Sequence, residues 1–362
     1  MANEIGYEID FLAVGDGERS GDAIAVRYGS PGAYRVMVVD GGNKESGEKL
    51  VEHIQTCYQS NRVDYLVNTH PDSDHASGLE VVLEQLEVGE AWVHQPWNYP
   101  EKIIHWLKDG RITIDSLRDR LQDALYHAYR VEELAKEKGV PVFEPFQGSQ
   151  IGDFHVLSPS RDWYLDILAH FDKTPAAKVA PPASGLIAKA ASLADKVRTW
   201  LDERWDFETL KNDEETSYDN ESSVVLYAYL ANHGILLTGD AGVQALTRAA
   251  DHLESFNIDI PAKLQFIQVP HHGSRHNVSP SVLNRLLGPK VSQTAGTTKT
   301  AFVSAGAKSD THPRRVVTNA FKRRGVDVVA AKGRSVCYPH NMGPRNGWIP
   351  VEGIPFFTQV EG

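Results

Sequence analysis

Short runs of apolar and β-branched residues, separated by glycine, proline and serine, dominate the first part of the chain. One stretch, from about 47 to 59, instead has apolar residues at helical spacing. The other runs have the length and composition of strands, and they lie at 7–14, 23–28, 34–40 and 63–67. The last of these leads directly into a histidine at position 70. This alternation predicts a sheet with helices packed against it.

The pattern changes between residues 91 and 210. Helical spacing with many tryptophan, tyrosine, arginine and glutamate residues extends to about 139, and residues 141–159 return to strand-like runs. Residues 174–194 are rich in alanine, proline and lysine, which is typical of a flexible connection. We interpret 91–210 as a helical insertion within a single domain that spans 1–362.

Strand-like runs resume after the insertion, at 222–230, 234–238, 264–269 and 300–304. Each polar motif of the chain comes just after one of the predicted strands. Open sheets of α/β proteins bind their ligands at that end of their strands. The pattern therefore predicts an α/β (α+β) fold with a functional site at one sheet edge.

Composition narrows the class of protein. The 362 residues are 41% hydrophobic and include 37 basic and 48 acidic side chains, for a net charge of −11. The acidic balance argues against a general DNA-coating role. Two cysteines are too few for a disulfide scaffold or a cysteine-rich zinc site. No apolar stretch approaches the roughly 20 residues of a membrane span, so we expect a cytoplasmic protein without a membrane partner.

The strongest chemical signal is the run His70-Pro71-Asp72-Ser73-Asp74-His75. Four side chains that bind metals fall within six residues, in the turn between a strand and a segment that can begin a helix. Imidazole nitrogens and carboxylate oxygens suit zinc, manganese or iron. An ordinary helix-capping turn could contain Asp74, but it would not need a histidine at each end. The run therefore predicts a metal site.

Two further motifs follow strands in the second half of the chain. Asp240, flanked by glycines, is placed to bridge two metal ions, although Gly-Asp also forms ordinary turns. His271 and His272 are adjacent, so their rings point in different directions and we expect at most one to bind the same ion well.

Three further residues are weaker candidates for the functional site, because two of them fit ordinary structural roles as well. His312, in a loop after a strand, fits a metal ligand, a proton donor, a phosphate contact or a solvated loop histidine. Asn220 precedes a strand and fits a turn residue nearly as well as a substrate contact. Ser274, two residues after the paired histidines, is predicted to contact substrate.

The order of these motifs resembles the metallo-β-lactamase superfamily, and most closely the soluble hydrolase domain of the competence protein ComEC and its stand-alone relatives. The motifs in question are a strand ending in Asp40-Gly41-Gly42, the His-x-Asp-x-Asp-His run, Thr-Gly-Asp, His-His-Gly-Ser, and finally Ser-x-Gly with His-Pro. The resemblance covers residues 7 to about 85 and 219 to about 340. It implies an αββα sandwich with a two-metal site at the sheet edge.

The resemblance also implies roles for individual residues. His70, Asp72, Asp74 and His75 would be ligands, Asp240 would bridge the ions, and one of His271 and His272 would be the last ligand. Asp72 stands where the superfamily more usually has a second histidine, as in the competence-like branch. A separate histidine ligand between the first motif and Asp240 is missing, with Asn220 near that position. Residues 91–210 match no known pattern.

The predicted function is metal-dependent hydrolysis of a phosphodiester, in nucleic acid or a nucleotide. Two divalent ions, zinc or alternatively manganese, would activate a water, with Asp74 orienting it. The oxygen-rich Asp72 shifts the expectation slightly towards manganese. One alternative is hydrolysis of a lactone, thioester or β-lactam. Another is a catalytically silent binding module whose inserted helices contact a protein partner.

A basic segment offers a way for an acidic protein to bind a phosphodiester. Residues 308–334 contain eight lysine and arginine residues against two aspartates. A helix beginning after His312-Pro313 would place its N-terminus towards an anion, and Arg314 or Arg315 would add phosphate contacts. His312 would contact the scissile phosphate or protonate the leaving oxygen. The alternative is a solvated helix face.

Overall fold

The computed structural model describes residues 5–17, 21–175 and 199–362. These residues form two seven-stranded sheets and a small two-stranded ribbon. The first sheet has the order β15-β1-β2-β3-β4-β5-β6. Its strands are β1 (Gly6–Phe11), β2 (Ala23–Ser30), β3 (Ala33–Gly41), β4 (Arg62–Val67), β5 (Glu87–Trp92), β6 (Val142–Phe143) and β15 (Val336–His340).

The second sheet has the order β14-β13-β12-β11-β10-β8-β7, and β16 pairs with β9 in the ribbon. The strands are β7 (Gln150–Ile151), β8 (Phe154–Ser158), β9 (Trp200–Asp202), β10 (Val225–Leu230), β11 (His233–Leu237), β12 (Leu264–Gln268), β13 (Lys299–Ala305), β14 (Val326–Lys332) and β16 (Gln359–Glu361). In both sheets the strands that precede the predicted motifs are parallel neighbours, β3 with β4 and β11 with β12. Their carboxyl ends therefore lie at one edge.

Helices cover the outer face of each sheet. α1, α2 and α5 enclose a core with the first sheet, and α4, α6, α8, α10 and α11 contribute to the core of the second. The described helices are α1 (Lys44–Thr56), α2 (Ser73–Gln85), α3 (Pro100–Ile103), α4 (Ile114–Ala124), α5 (Tyr126–Glu137), α6 (Arg161–Leu168), α7 (Tyr218–Glu221), α8 (Val243–Ser255), α9 (Ile260–Lys263), α10 (Pro280–Leu287) and α11 (Arg315–Lys322). No helix in the described ranges is long and apolar enough to cross a membrane.

Alternation along β1 shows how the two sheets are held together. Ile9 and Phe11 are buried in the apolar layer between the sheets. There the ring of Phe11 packs edge-on against the rings of Phe266 and Phe302, with ring centroids 6.1 and 5.5 Å apart. Side chains of opposite parity, such as Asp10, project to the other face of the sheet. The layers are therefore helix, sheet, sheet and helix, and the predicted αββα fold is confirmed.

The segment 91–210 contains both helices and strands. Strand β6 extends the first sheet, and β7 and β8 form the edge of the second. These strands lie within 142–158, inside the strand-like run predicted at 141–159, and helices α3 to α5 precede them. Most of the predicted flexible connection, 174–194, falls outside the described residues.

Candidate metal centre

Four segments meet at the edge formed by the carboxyl ends of the strands. After β4 the chain turns through His70, and α2 begins at Ser73 with Asp72 as its N-cap residue. The Asp72 side chain makes no capping hydrogen bond, so its carboxylate is available to a ligand. From the second sheet, Asp240 follows β11, and the paired histidines follow β12.

The imidazoles converge on Asp240, a buried carboxylate. Oδ2 of Asp240 lies 3.8 Å from Nε2 of His70, 3.4 Å from Nε2 of His75 and 3.7 Å from Nε2 of His271. Ligand atoms of Asp74, His75 and His272 also lie within 4.8 Å of one another. All seven metal ligands predicted from the sequence are therefore brought to one place: His70, Asp72, Asp74, His75, Asp240, His271 and His272.

Hydrogen bonds set the tautomers of the two first-sheet histidines. Nδ1 of His75 donates to Oδ2 of Asp40 at 2.8 Å. The Thr69 hydroxyl donates to the same carboxylate at 2.6 Å, so its oxygen accepts from Nδ1 of His70 at 3.0 Å. In both rings Nδ1 donates a proton to its hydrogen bond, so Nε2 is the nitrogen that can bind a metal ion.

The second-sheet histidines are held in the same way. Nδ2 of the buried Asn277 donates to the main-chain oxygen of Asp240 at 2.7 Å, which leaves its Oδ1 to accept from Nδ1 of His271 at 2.8 Å. Nδ1 of His272 donates to the carbonyl of Ser304 at 3.2 Å. In all four rings Nδ1 is thus used in a hydrogen bond, and Nε2 is the nitrogen left to bind an ion.

Unpaired polar atoms at the centre fit a divalent cation. Nε2 of His70, Nε2 of His75 and Oδ1 of Asp240 are buried and have no hydrogen-bond partner. Burying such groups without partners is costly, and a metal ion satisfies imidazole nitrogen and carboxylate oxygen together. The donor set therefore fits the metal that the fold implies.

Electrostatics at the centre favour a carboxylate surrounded by cations. Burial opposes ionisation of Asp240, but the imidazoles of His75, His271 and His272 hold the pKa of Asp240 well below its usual range. Burial likewise opposes charging of His75, yet Asp240 and Asp40 raise the pKa of that imidazole well above its usual value. For His70, burial and the neighbouring His75 lower the pKa. The centre holds positive charge close to Asp240.

Both adjacent histidines face the centre, which sequence spacing alone did not predict. His271 and His272 have φ angles of 46° and 54°, so the chain turns through the left-handed region at two successive residues. The planes of the two rings are inclined at 69° to each other. His271 lies beside Asp240, and His272 lies beside Asp74. The geometry therefore allows a ligand role for each of the two histidines.

The predicted substrate residues lie around the His271–Gly273 turn. Nδ2 of Asn220 lies 3.0 Å from Nδ1 of His271 and also donates to Thr216. Ser274 accepts a hydrogen bond from the main chain of His276 and so caps the short helix that follows.

The His312–Pro313 loop also packs against this turn. A Cβ on Gly273 would come within 2.7 Å of Pro313 Cβ, and the main-chain N–H of Arg314 donates to the Gly273 carbonyl at 3.1 Å. His312 and Arg314 are therefore near the centre's edge, as the sequence predicted.

Arg315 has other partners. Its guanidinium stacks on the rings of Trp200 and Phe357, 4.8 and 4.6 Å from their centroids, and donates to the carbonyl of Gln359. Its predicted phosphate contact stays a prediction.

Two further arginines of the basic segment 308–334 are neither exposed on a solvated helix face nor available to a phosphate. Arg323 and Arg324 are fully buried and form ion pairs with Glu203 and Glu208. These glutamates lie more than 100 residues earlier in the chain, so charge patterning along 308–334 did not reveal the pairing.

Sequence reasoning missed several residues that hold the centre in place. Thr69 and Asn277 orient histidines, and Gln268 donates to Oδ2 of Asp22 at 2.8 Å. Ligand atoms of Asp22 lie within 4.8 Å of those of His75 and Asp240. A signal for Asp22 did exist, since a Gly-Asp pair directly precedes an otherwise apolar strand.

A cavity with cationic side chains opens beside the centre. It has a volume of about 500 Å³ and is lined by Arg120, Asp123, Ala124, Lys173, Thr174 and Pro175. Nζ of Lys173 lies 2.9 Å from Oδ1 of Asp72, so this cavity adjoins the predicted ligands. No motif in the sequence pointed to Arg120 or Lys173.

Comparison with known proteins places the chain in a family. A model of the metallo-β-lactamase superfamily matches residues 17–289. No curated protein matches the chain. Similar solved structures include unliganded yeast PDE1, at 13% identity and a TM-score of 0.45, with 91% of this chain and 99% of that chain covered.

Two other similar structures are the metallo-β-lactamase-fold protein YhfI from Bacillus subtilis and a diphosphatase of the PhnP family. YhfI is 9% identical with a TM-score of 0.40, covering 93% of this chain and 100% of its own. The diphosphatase is 8% identical with a TM-score of 0.37, covering 92% and 98%. Because the family model spans most of its length, this chain belongs to the metallo-β-lactamase superfamily of hydrolases.

Proposed function

We propose that this chain hydrolyses phosphodiesters, in nucleic acid or a nucleotide, with two divalent ions bound on either side of Asp240. The observation that carries the proposal is the convergence of three oriented imidazoles on that buried carboxylate, beside a cavity with cationic side chains. We take zinc as the metal, with manganese as the alternative. Asp72 at the second motif position supports a place in the competence-like branch.

The ligands divide into two groups. We assign His70, Asp72 and His271 to one ion, and Asp74, His75 and His272 to the other, with Asp240 between them. In this division His271 takes the ligand position of the separate histidine that the superfamily usually has between the first motif and Asp240. When bound, the ions would lower the pKa of a water to about neutrality and neutralise charge on phosphate oxygens.

Residues of this chain would supply the remaining steps. Asp74, half-buried at the start of α2, would orient the attacking water. The Thr311 hydroxyl lies 2.9 Å from Nδ1 of His312 and would orient the ring, and His312 would protonate the leaving oxygen. Arg314, Asn220 and Ser274 would contact the phosphate and its substituents around the His271–Gly273 turn.

Lys173 and Arg120 favour an anionic substrate. The Lys173 ammonium pairs with Asp72, itself a proposed ligand. Once Asp72 is shared with an ion, that ammonium is free to bind a phosphate oxygen in the same cavity. A neutral lactone or thioester would gain nothing from these two cations, which is why we rank those substrates second.

The test compares substrates on metal-loaded protein. Purified protein with zinc or manganese is assayed on bis-p-nitrophenyl phosphate, a lactone, a thioester and a β-lactam. We expect the phosphodiester to be turned over fastest. Lys173→Met and Arg120→Met should raise KM for the phosphodiester roughly tenfold, the value of one lost charge-assisted hydrogen bond. The matched control is Arg111→Met, which removes an exposed arginine paired with Asp109.

The alternatives have distinct outcomes. Fastest turnover of the lactone, thioester or β-lactam, with no effect of Lys173→Met, would replace the phosphodiester assignment. Bound metal without turnover of any substrate would support the silent binding module, and its partner would then be sought on the inserted helices. Absence of bound metal after loading would reject the centre itself.

A further inference from the structure

Asp22 is a buried carboxylate at the metal centre that no motif of the superfamily resemblance assigned. It directly precedes β2 and is 1% exposed. One ligand atom each of Asp22, His75 and Asp240 lie within 4.8 Å of one another. The same holds for Asp74, His75 and His272. Asp22 and Asp74 therefore share His75 as a neighbour.

The hydrogen bond that holds Asp22 comes from a neutral amide. Oε1 of Gln268 accepts from the main-chain N–H groups of Thr238 and Gly239, at 2.8 and 3.1 Å, so its Nε2 is the donor to Oδ2 of Asp22. An amide orients a carboxylate but does not neutralise it. Within residues 5–17, 21–175 and 199–362, no lysine or arginine forms an ion pair with Asp22. Buried charges in proteins are paired or bind metals.

The surrounding atoms point to a cation at this place. His75 and Asp240 each offer a ligand atom within 4.8 Å of one on Asp22. Nε2 of His75 and Oδ1 of Asp240 are also buried and without a hydrogen-bond partner. The imidazoles of His75 and His272 use their Nδ1 protons on Asp40 and on the Ser304 carbonyl. Nε2 is therefore the nitrogen of each ring that is left for a metal ion.

We propose that Asp22 is a ligand of the ion held by Asp74, His75 and His272, and that it makes this one position prefer manganese, the alternative metal named above, over zinc. This rests on the two-ion centre proposed above. With Asp22 and the bridging Asp240, the ion would meet three carboxylates and two imidazoles. Oxygen-rich sets with more than four donors favour manganese, whereas zinc favours four donors with nitrogen or sulfur.

The test counts bound manganese on metal-free protein titrated with Mn²⁺, by electron paramagnetic resonance of the free ion. Wild-type protein should bind two ions per chain. Asp22→Asn should bind one of them at least tenfold more weakly. Its affinity for Zn²⁺, measured by calorimetry, should change much less. Asp16→Asn is the matched control, since Asp16 is an exposed carboxylate in the same loop.

A second variant covers the case in which Asp22→Asn does not fold. Gln268→Met keeps the Asp22 charge but removes the amide that orients it. Because the same amide holds the main chain just before Asp240, the variant should weaken the manganese ion bound by Asp22 more than the other ion. Two manganese ions bound with wild-type affinity by these variants would overturn the role of Asp22 and leave the two-ion centre intact. Failure of the wild-type protein to bind any ion would overturn both.

Discussion

Gly21 lies directly against the main-chain oxygen of Asp74. A Cβ at residue 21 would come within 1.5 Å of that oxygen, and Gly21 has a φ angle of +62°, in the left-handed region. The loop before β2 thus contacts the first turn of α2 at closest range. This contact places Asp22 and Asp74 on the same side of the metal centre.

Substituting Gly21 should therefore damage both stability and metal binding. Gly21→Ala is expected to cost at least about 1–2 kcal/mol from the left-handed conformation alone, and to displace Asp74 further. Thermal unfolding with and without Mn²⁺ measures both effects. Gly17→Ala is the control, because a Cβ there meets nothing within 4 Å. Equal melting temperatures for the two variants would contradict the close contact.

Asp74→Ala should abolish hydrolysis while the fold persists. Asp74 is half-buried and contributes to the metal centre more than to the core. Turnover should fall to background with the melting temperature of the chelated protein unchanged, and metal content should drop from two ions per chain to one. Asp119→Ala, on the exposed side of α4, should match wild type. Near-normal turnover in Asp74→Ala would show that the motif is misassigned.

Asn277 is predicted to control metal affinity without touching the metal. Asn277→Leu removes the acceptor that holds Nδ1 of His271 and the donor to the Asp240 carbonyl. Loss of such an outer hydrogen bond typically lowers metal affinity 10- to 100-fold. Asn277→Asp keeps the oxygen that accepts from Nδ1 of His271. Its zinc affinity, measured by calorimetry, should therefore lie between those of Asn277→Leu and the wild-type protein. If both variants lose affinity equally, the tautomer argument for His271 is wrong.

The stability of the protein should depend on pH through His94, which follows β5. Burial lowers the pKa of His94 to about 3, and its ring stacks on Tyr164 with centroids 4.4 Å apart. Below the unfolded value of about 6.5 the unfolded chain binds a proton that the native protein refuses, so stability falls with falling pH.

The expected measurement is a pH series of denaturant unfolding. Between about pH 6 and pH 4, wild type should lose about 1.4 kcal/mol per pH unit relative to His94→Phe. The exposed His155 serves as the control through His155→Gln, which should follow wild type. Parallel curves for wild type and His94→Phe would mean that the ring is hydrated or protonated in the native state.

Much of the fold and the ligand set could be predicted because local pattern encodes them. Strands were visible as apolar runs, and ligands such as His70 and Asp240 follow strands that end at the same edge. Residues that depend on contacts between distant segments were not visible. Asn277 acts through Asp240, and Arg323 is neutralised by Glu203, so neither role has a local signal.

The ligands of the centre come from both sheets. His70 to His75 follow a strand of the first sheet, and Asp240 to His272 follow strands of the second, whereas the cysteines Cys57 and Cys337 are free thiols. An ion shared by His75 and Asp240 would join distant parts of the chain as a reversible cross-link present only in the native state. Metal supply would then set how long the protein survives proteolysis, in addition to how fast it works.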